Sequence, residues 1–235
     1  MEENGMRYLV MVLAVVVVFA AIPALGASSY LGGMSGLIYT PDDVITPTNN
    51  WELSYHNSFN EIDGNTDLQA WGLQYGVVKN LEIGLSYFPE AGDRTAFNGK
   101  YRLVKETATA PNVTIGVLDA FNTLNEGNGD PDAFILVSKN LTPFASGLYG
   151  APSKPVRATL GLGTGIYRTV FGSLDWTFMP RVSLMAEYVP NYVGQYNNTV
   201  NVGVRYAATD MIRLDAAAID FREFALGVSV RGSFR

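Results

Sequence analysis

Phe224-Ala225-Leu226-Gly227-Val228-Ser229-Val230-Arg231-Gly232-Ser233-Phe234 alternates without a break. Phe224, Leu226, Val228, Val230 and Phe234 fall on one side, with Gly232 among them. Ala225, Gly227, Ser229, Arg231 and Ser233 fall on the other. Side chains along a strand alternate with a period of two, so this stretch predicts one apolar and one polar face. The pattern recurs upstream. Val182, Leu184, Ala186 and Tyr188 oppose Ser183 and Glu187; Val200, Val202, Val204 and Tyr206 oppose Asn201, Gly203 and Arg205. Ile212, Leu214, Ala216 and Ala218 oppose Arg213 and Asp215. A chain with both faces on every strand fits an all-β, transmembrane, antiparallel up-and-down β-barrel, with lipid outside and polar groups inside.

Twelve strands are predicted, at about 51–59, 68–78, 81–88, 95–105, 112–122, 132–139, 156–167, 170–178, 182–190, 199–208, 212–220 and 224–234, and the pattern is compatible with ten to fourteen. Their lengths are close to the roughly 9–11 residues that cross a bilayer at a tilt of about 45°. Strand 132–139 is apolar on both faces at Phe134–Val137, so its orientation is not readable. Aromatic residues (Trp51, Phe59, Tyr188, Phe224) gather near strand ends, as in interfacial girdles. A soluble β-sandwich is the competing fold, and it would place more of them in mid-strand.

The apolar run 8–22 follows Arg7 and precedes Pro23-Ala24-Leu25-Gly26. This reads as a signal peptide over 1–26, with Met1 or Met6 as the start. Removing it takes away Glu2, Glu3 and Arg7 and leaves a net charge of −5 on 209 residues. That balance disfavours nucleic acid as a partner. The stretch 27–50 is dense in Gly, Pro and Asp, which argues against a membrane strand. It is expected to lie across the periplasmic mouth or to enter the lumen, ahead of a barrel over 51–235. Long connections at 60–67, 89–94, 122–131 and 190–198 alternate with tight turns at 78–81, 179–182 and 209–212. This is the asymmetry of outer-membrane barrels, and only 141–155, on the tight-turn side, breaks it.

Inward charges are the candidate functional residues. Asp175, Glu187 and Asp215 oppose Arg205, Arg213 and Arg231 on five successive strands, and Lys100, Arg102 and Arg157 add positive charge on other inner faces. A charge facing lipid at the bilayer midplane costs about 2–4 kcal/mol, so all should face inward. They form either a bracing network or a constriction that selects polar or anionic solutes. His56 and Ser58 share a strand face and form a weak candidate for a lipid-acting dyad. Their lumenal face argues against it, and Phe59-Asn60 follows Ser58 where the phospholipase motif has Asn-Gly. One histidine and no cysteine exclude histidine–cysteine metal sites. Gly161-Leu162-Gly163-Thr164-Gly165 lacks the lysine and helix of a phosphate loop, and its glycines make room inside a small barrel. No cofactor is expected.

Several segments resemble a known family. They include Gly36-Leu37-Ile38-Tyr39-Thr40-Pro41, Trp51-Glu52-Leu53-Ser54-Tyr55-His56, Leu160-Gly161-Leu162-Gly163, Pro180-Arg181-Val182-Ser183-Leu184, Asn201-Val202-Gly203-Val204-Arg205-Tyr206 and Phe224-Ala225-Leu226-Gly227. Together they look like the YjbH-like outer-membrane barrels linked to exopolysaccharide production. The resemblance implies a non-enzymatic protein of the bacterial outer membrane, serving polysaccharide export or envelope assembly. A small-solute porin with a charged lumen is the alternative. The partners expected are the outer-membrane bilayer, the barrel-assembly machinery, and polysaccharide or small solutes.

Outer-membrane barrels commonly end on an aromatic residue that the assembly machinery reads, and here Phe234 is penultimate. Phe234→Ala is expected to lower the yield of folded barrel, measured as the heat-modifiable fraction in outer-membrane preparations. An unchanged yield would remove Phe234 as the signal.

Overall fold

The structure, a computed structural model, describes residues 27–59, 68–124, 131–142, 155–192 and 196–234. The leader at 1–26, the stretches 60–67 and 125–130, and most of 141–155 fall outside it. Two short strands, β1 (Ala27–Ser28) and β2 (Ser35–Gly36), pair with each other. Then follow β3 (Asn50–Phe59), β4 (Leu68–Val78), β5 (Leu81–Phe88), β6 (Arg94–Val104), β7 (Asn112–Leu118) and β8 (Asp132–Asn140). The rest are β9 (Val156–Gly163), β10 (Thr169–Met179), β11 (Val182–Tyr192), β12 (Tyr196–Ala207), β13 (Ile212–Ile219) and β14 (Glu223–Ser233). Strands β3–β14 form one closed barrel in sequence order. β14 closes it against β3, with Phe224 opposite Phe59 and Ser233 opposite Asn50. The fold is the all-β transmembrane barrel that the alternation predicts, with twelve strands.

Two strand ends differ from the periodicity. β7 stops at Leu118 because Asp119 takes a φ of 54° and its carboxylate accepts the N–H groups of Thr123 (2.8 Å) and Leu124 (2.7 Å). β9 stops at Gly163, before a 3-10 turn at Gly165–Tyr167 that tucks Tyr167 into the barrel. Both changes turn the chain where simple alternation continues.

The outer surface is apolar, with Leu53, Leu73, Leu160, Leu174, Val200 and Leu226 all exposed. At the end that carries Asn50 and Ser233, here the terminal end, Phe234 packs near Trp51 and Tyr75, at ring distances of 6.4 and 6.0 Å. The Phe234 N–H also donates to the Asn49 carbonyl at 2.8 Å, tying the closing strand to the first.

The interior is occupied. Every residue from Ser28 to Thr46 is buried, save the half-buried Val44. A twelve-stranded barrel is wider than the eight-stranded ones that side chains alone fill, so it can admit such a segment. The lumen has two layers. In the half away from the terminal end, Leu37, Ile38 and Tyr39 of the segment pack in one core with Phe134, Tyr167 and Phe171 of the wall. Toward the terminal end, the segment meets charged and amide side chains instead. This explains the unreadable strand: Phe134 and Leu136 of β8 face the apolar layer while Ile135 and Val137 face outward.

Glycines let two backbones touch. Gly32 and Gly33 take left-handed φ values of 70° and 57°, so the segment reverses there without a Cβ penalty. On the wall, a Cβ on Gly72 would collide with Gly32 and Gly33, one on Gly84 with the Gly33 carbonyl, and one on Gly76 with the Thr46 and Pro47 carbonyls. Gly84→Val is therefore expected to leave a folded, heat-modifiable barrel whose residues 28–46 are cut by protease, whereas the unaltered chain resists. A protease-resistant segment in the variant would refute this fit.

Candidate functional site

A segment with so little regular structure must find partners for its backbone groups inside the lumen, because a buried unpaired N–H or C=O is costly. Wall carboxylates supply most of the acceptors. Glu187 on β11 accepts the N–H groups of Ile38 (3.2 Å), Tyr39 (2.8 Å) and Thr40 (2.9 Å), the Thr40 hydroxyl (2.8 Å) and the Asn201 amide (2.8 Å). Glu82 on β5 accepts the N–H groups of Ser35 and Thr46, both at 2.7 Å, together with both hydroxyls. Glu52 on β3 accepts the Ser28 N–H at 2.8 Å and pairs with Arg213 at 3.2 Å.

Wall cations supply donors. The Arg205 Nε pairs with Asp215 at 2.8 Å. Its Nη atoms donate to the carbonyls of Gly36 (3.1 Å), Ser28 (3.2 Å) and Leu37 (3.3 Å). Lys100 is fully buried, and its ammonium donates among the Ser35 and Asp42 carbonyls and the Asp42 carboxylate (2.8, 3.0 and 3.1 Å). Arg102 donates to the Asp43 carbonyl at 2.6 Å; Arg157 (2.9 Å) and Asn112 donate to the Asp43 carboxylate. Burial pushes the Asp43 carboxyl up from its ordinary range, and Arg157 beside it pulls the other way.

Of the predicted charges, Glu187 and Arg205 hold the segment directly, while Asp215 and Arg213 hold through their partners. Asp175 is half-buried on β10, opposite Arg157 in register, with its Oδ1 lacking a hydrogen-bond partner. Arg231 does not stand opposite Asp215. The register puts Gly227 there and Arg231 beside Glu52, and the Arg231 Nε donates to the Asp210 carbonyl (2.6 Å) at the barrel rim. Alternation fixes a residue's face but not its height. Glu52 and Glu82, absent from the predicted set, also lie on inward positions of alternating strands, and that signal was available for both.

His56 and Ser58 do not form a pair. The Ser58 hydroxyl meets the Tyr39 hydroxyl at 3.1 Å. The His56 ring lies under Tyr30 of the segment (4.5 Å) and its Nε2 is 3.6 Å from Asp215. A Cβ on Gly161 would strike the Phe171 ring, so Gly161 admits an aromatic ring of the apolar layer, while one on Gly163 would strike the Ala133 carbonyl of the neighbouring strand.

Closed strands, an apolar exterior and a polar interior define a transmembrane β-barrel. No protein-family model matches the chain, and no curated protein matches it by sequence. Among solved structures, the chain is similar to the KdgM porin, with a TM-score of 0.51 and 12% identity over 78% of this chain and 99% of that one. It is equally similar to the KdgM porin in complex with disordered oligogalacturonate, with a TM-score of 0.52 and 11% identity over the same shares. The likeness is one of fold, and the fold is that of a porin.

Glu187→Ala would leave three buried N–H groups without an acceptor. Each costs about 1–3 kcal/mol. The urea midpoint of the folded barrel in detergent should fall clearly, and Glu187→Gln, which keeps one acceptor oxygen, should fall less. Equal midpoints for all three proteins would show that Glu187 bears no load.

Proposed function

We propose that this chain is an outer-membrane channel for small polar solutes, kept shut by its own residues 28–46. The observation that carries this reading is a closed barrel with a charged inner wall, in which the inserted segment satisfies those charges. A barrel braced only for rigidity could use side chains joined across the lumen. Here the wall charges converge on backbone groups of a single chain segment, which can leave as a unit. An apolar layer above the charges closes the same path to water and ions.

Two supports point to carbohydrate as the solute class. The short motifs shared with YjbH-like barrels belong to proteins linked to exopolysaccharide. The KdgM porin, of similar fold, is seen with oligogalacturonate. An oligosaccharide would pass through a lumen stripped of the segment, where hydroxyl and charged side chains line the wall. Export through the general secretory route, insertion by the barrel-assembly machinery and bacterial outer-membrane residence complete this reading. Catalysis by His56 and Ser58 has no support in their geometry, since segment residues cover both.

The test is conductance in planar bilayers. The unaltered chain should show rare, brief openings, and Gly84→Val should show steady channels. A variant whose segment is open to protease but which conducts no ions would overturn the channel reading.

A further inference from the structure

The aspartates Asp42 and Asp43 occupy a cationic pocket on one side of the lumen. Lys100 and Arg102 reach it from β6, Asn112 from β7 and Arg157 from β9. All four lie toward the terminal end of their strands, so they share one height. Two carboxylates also belong to this wall: Glu82 is 3.9 Å from Lys100, and Glu106 is 3.0 Å from Arg157 and 3.8 Å from Lys139. Asp175, opposite Arg157 in register, is a third, while Lys139 lies on the outward side of β8 and bonds the 107–110 turn. Lys100, Arg102 and Arg157 therefore face the lumen here, and Asp42 and Asp43 supply the segment groups that all three contact. If the segment left alone, Lys100, Arg102 and Arg157 would lose these partners in a partly desolvated site, which is unfavourable. The opposite wall carries Glu52, Glu187 and Asp215 with Arg205 and Arg213.

We propose that the site vacated by Asp42 and Asp43 binds a solute bearing two or more carboxylates, and that such a solute opens the channel by replacing them. This rests on the reading of residues 28–46 as a releasable plug. The two aspartates are themselves a model of the ligand, adjacent carboxylates met by an ammonium, the Arg157 guanidinium and an amide, with the Arg102 guanidinium on the Asp43 carbonyl. Charge-assisted bonds of this kind are strong, and a guanidinium suits a planar carboxylate. Access comes from the terminal end, where the Arg157 side chain is 28% exposed while the Lys100 side chain is 0% exposed. An incoming carboxylate would meet Arg157 first and Lys100 last, displacing Asp43 before Asp42. On the far side the apolar layer offers no such entry. Arg102 keeps a buried Nε with no hydrogen-bond partner while the aspartates are docked, a donor left over for a larger anion.

The chain has no cysteine, so Ile45→Cys places a single reporter thiol in the buried segment. Maleimide labelling of the folded, full-length protein then reads departure of the segment. A ligand that binds only the vacated wall shifts that equilibrium by one plus its concentration over Kd, so labelling should quicken about tenfold at ten times Kd. Citrate and a uronic-acid trisaccharide are compared with chloride at equal ionic strength. Acceleration by either supports the site, and their ratio separates small acids from acidic sugars. Acceleration by neither beyond chloride overturns the proposal. Arg102→Gln with Arg157→Gln, in the same Cys background, should label faster at rest and gain nothing from citrate; a full citrate response there would also overturn it. Conductance of Gly84→Val separates the two readings. A silent variant removes the channel, whereas a conducting one that citrate leaves unblocked removes only the anion site.

Discussion

The structure depends on one constraint: the backbone of residues 28–46 is buried with no sheet to pair with beyond the two-residue contact of β1 and β2. Inside the lumen, each N–H and C=O must be met by a side chain or by a short local bond. The segment meets part of the need itself, through bonds such as Tyr30 N–H to the Ile38 carbonyl at 2.7 Å. The wall meets the rest, chiefly with ionised groups, whose hydrogen bonds are stronger than those of neutral partners. The wall charges are in turn neutralised by one another, Arg205 by its register partner Asp215 and Arg213 by Glu52 two strands away. The inner charges and the inserted segment thus require each other. Removing either leaves the other with buried groups that lack partners.

Division of the lumen into layers follows from the same constraint. Polar backbone sits where charged side chains can reach it, and the large apolar side chains of the segment fill the other half. There the wall turns apolar as well, with Phe134 and Phe171 facing inward. Glycines at 116 and 161 leave space for those rings. The lumen is consequently filled twice, by charged and hydrogen-bonded groups at one level and by a dry apolar layer at another.

Much of this was legible in the sequence. The period of two revealed the strands, and tight turns such as Thr209-Asp210-Met211 separated them. Composition argued against a membrane strand at 27–50. The double apolarity of Phe134–Val137 was visible too, but it had no explanation until the segment provided an inner apolar surface. What stayed hidden was height. Arg231 and Asp215 share a face, yet they stand at different levels because register is set by hairpin geometry that alternation does not encode. For the same reason the sequence could group the inner charges but not assign their partners. The segment's bonds to Glu82 and Glu187 join residues far apart in the chain, and no local pattern reports them.

That distance has a consequence for the order of folding. The segment is made before every strand it touches, yet Ser28 and Arg205 are 177 positions apart, and Tyr39 and Glu187 are 148 apart. Contacts of such long range form slowly, because the intervening chain must be ordered before they return any stability. Glu187 and Arg205 belong to β11 and β12, so the binding surface is incomplete until most of the wall exists. Closure of β14 on β3 then encircles a segment that enters from β3 itself. The earliest part of the barrel domain to be synthesised is therefore among the last to reach its final place.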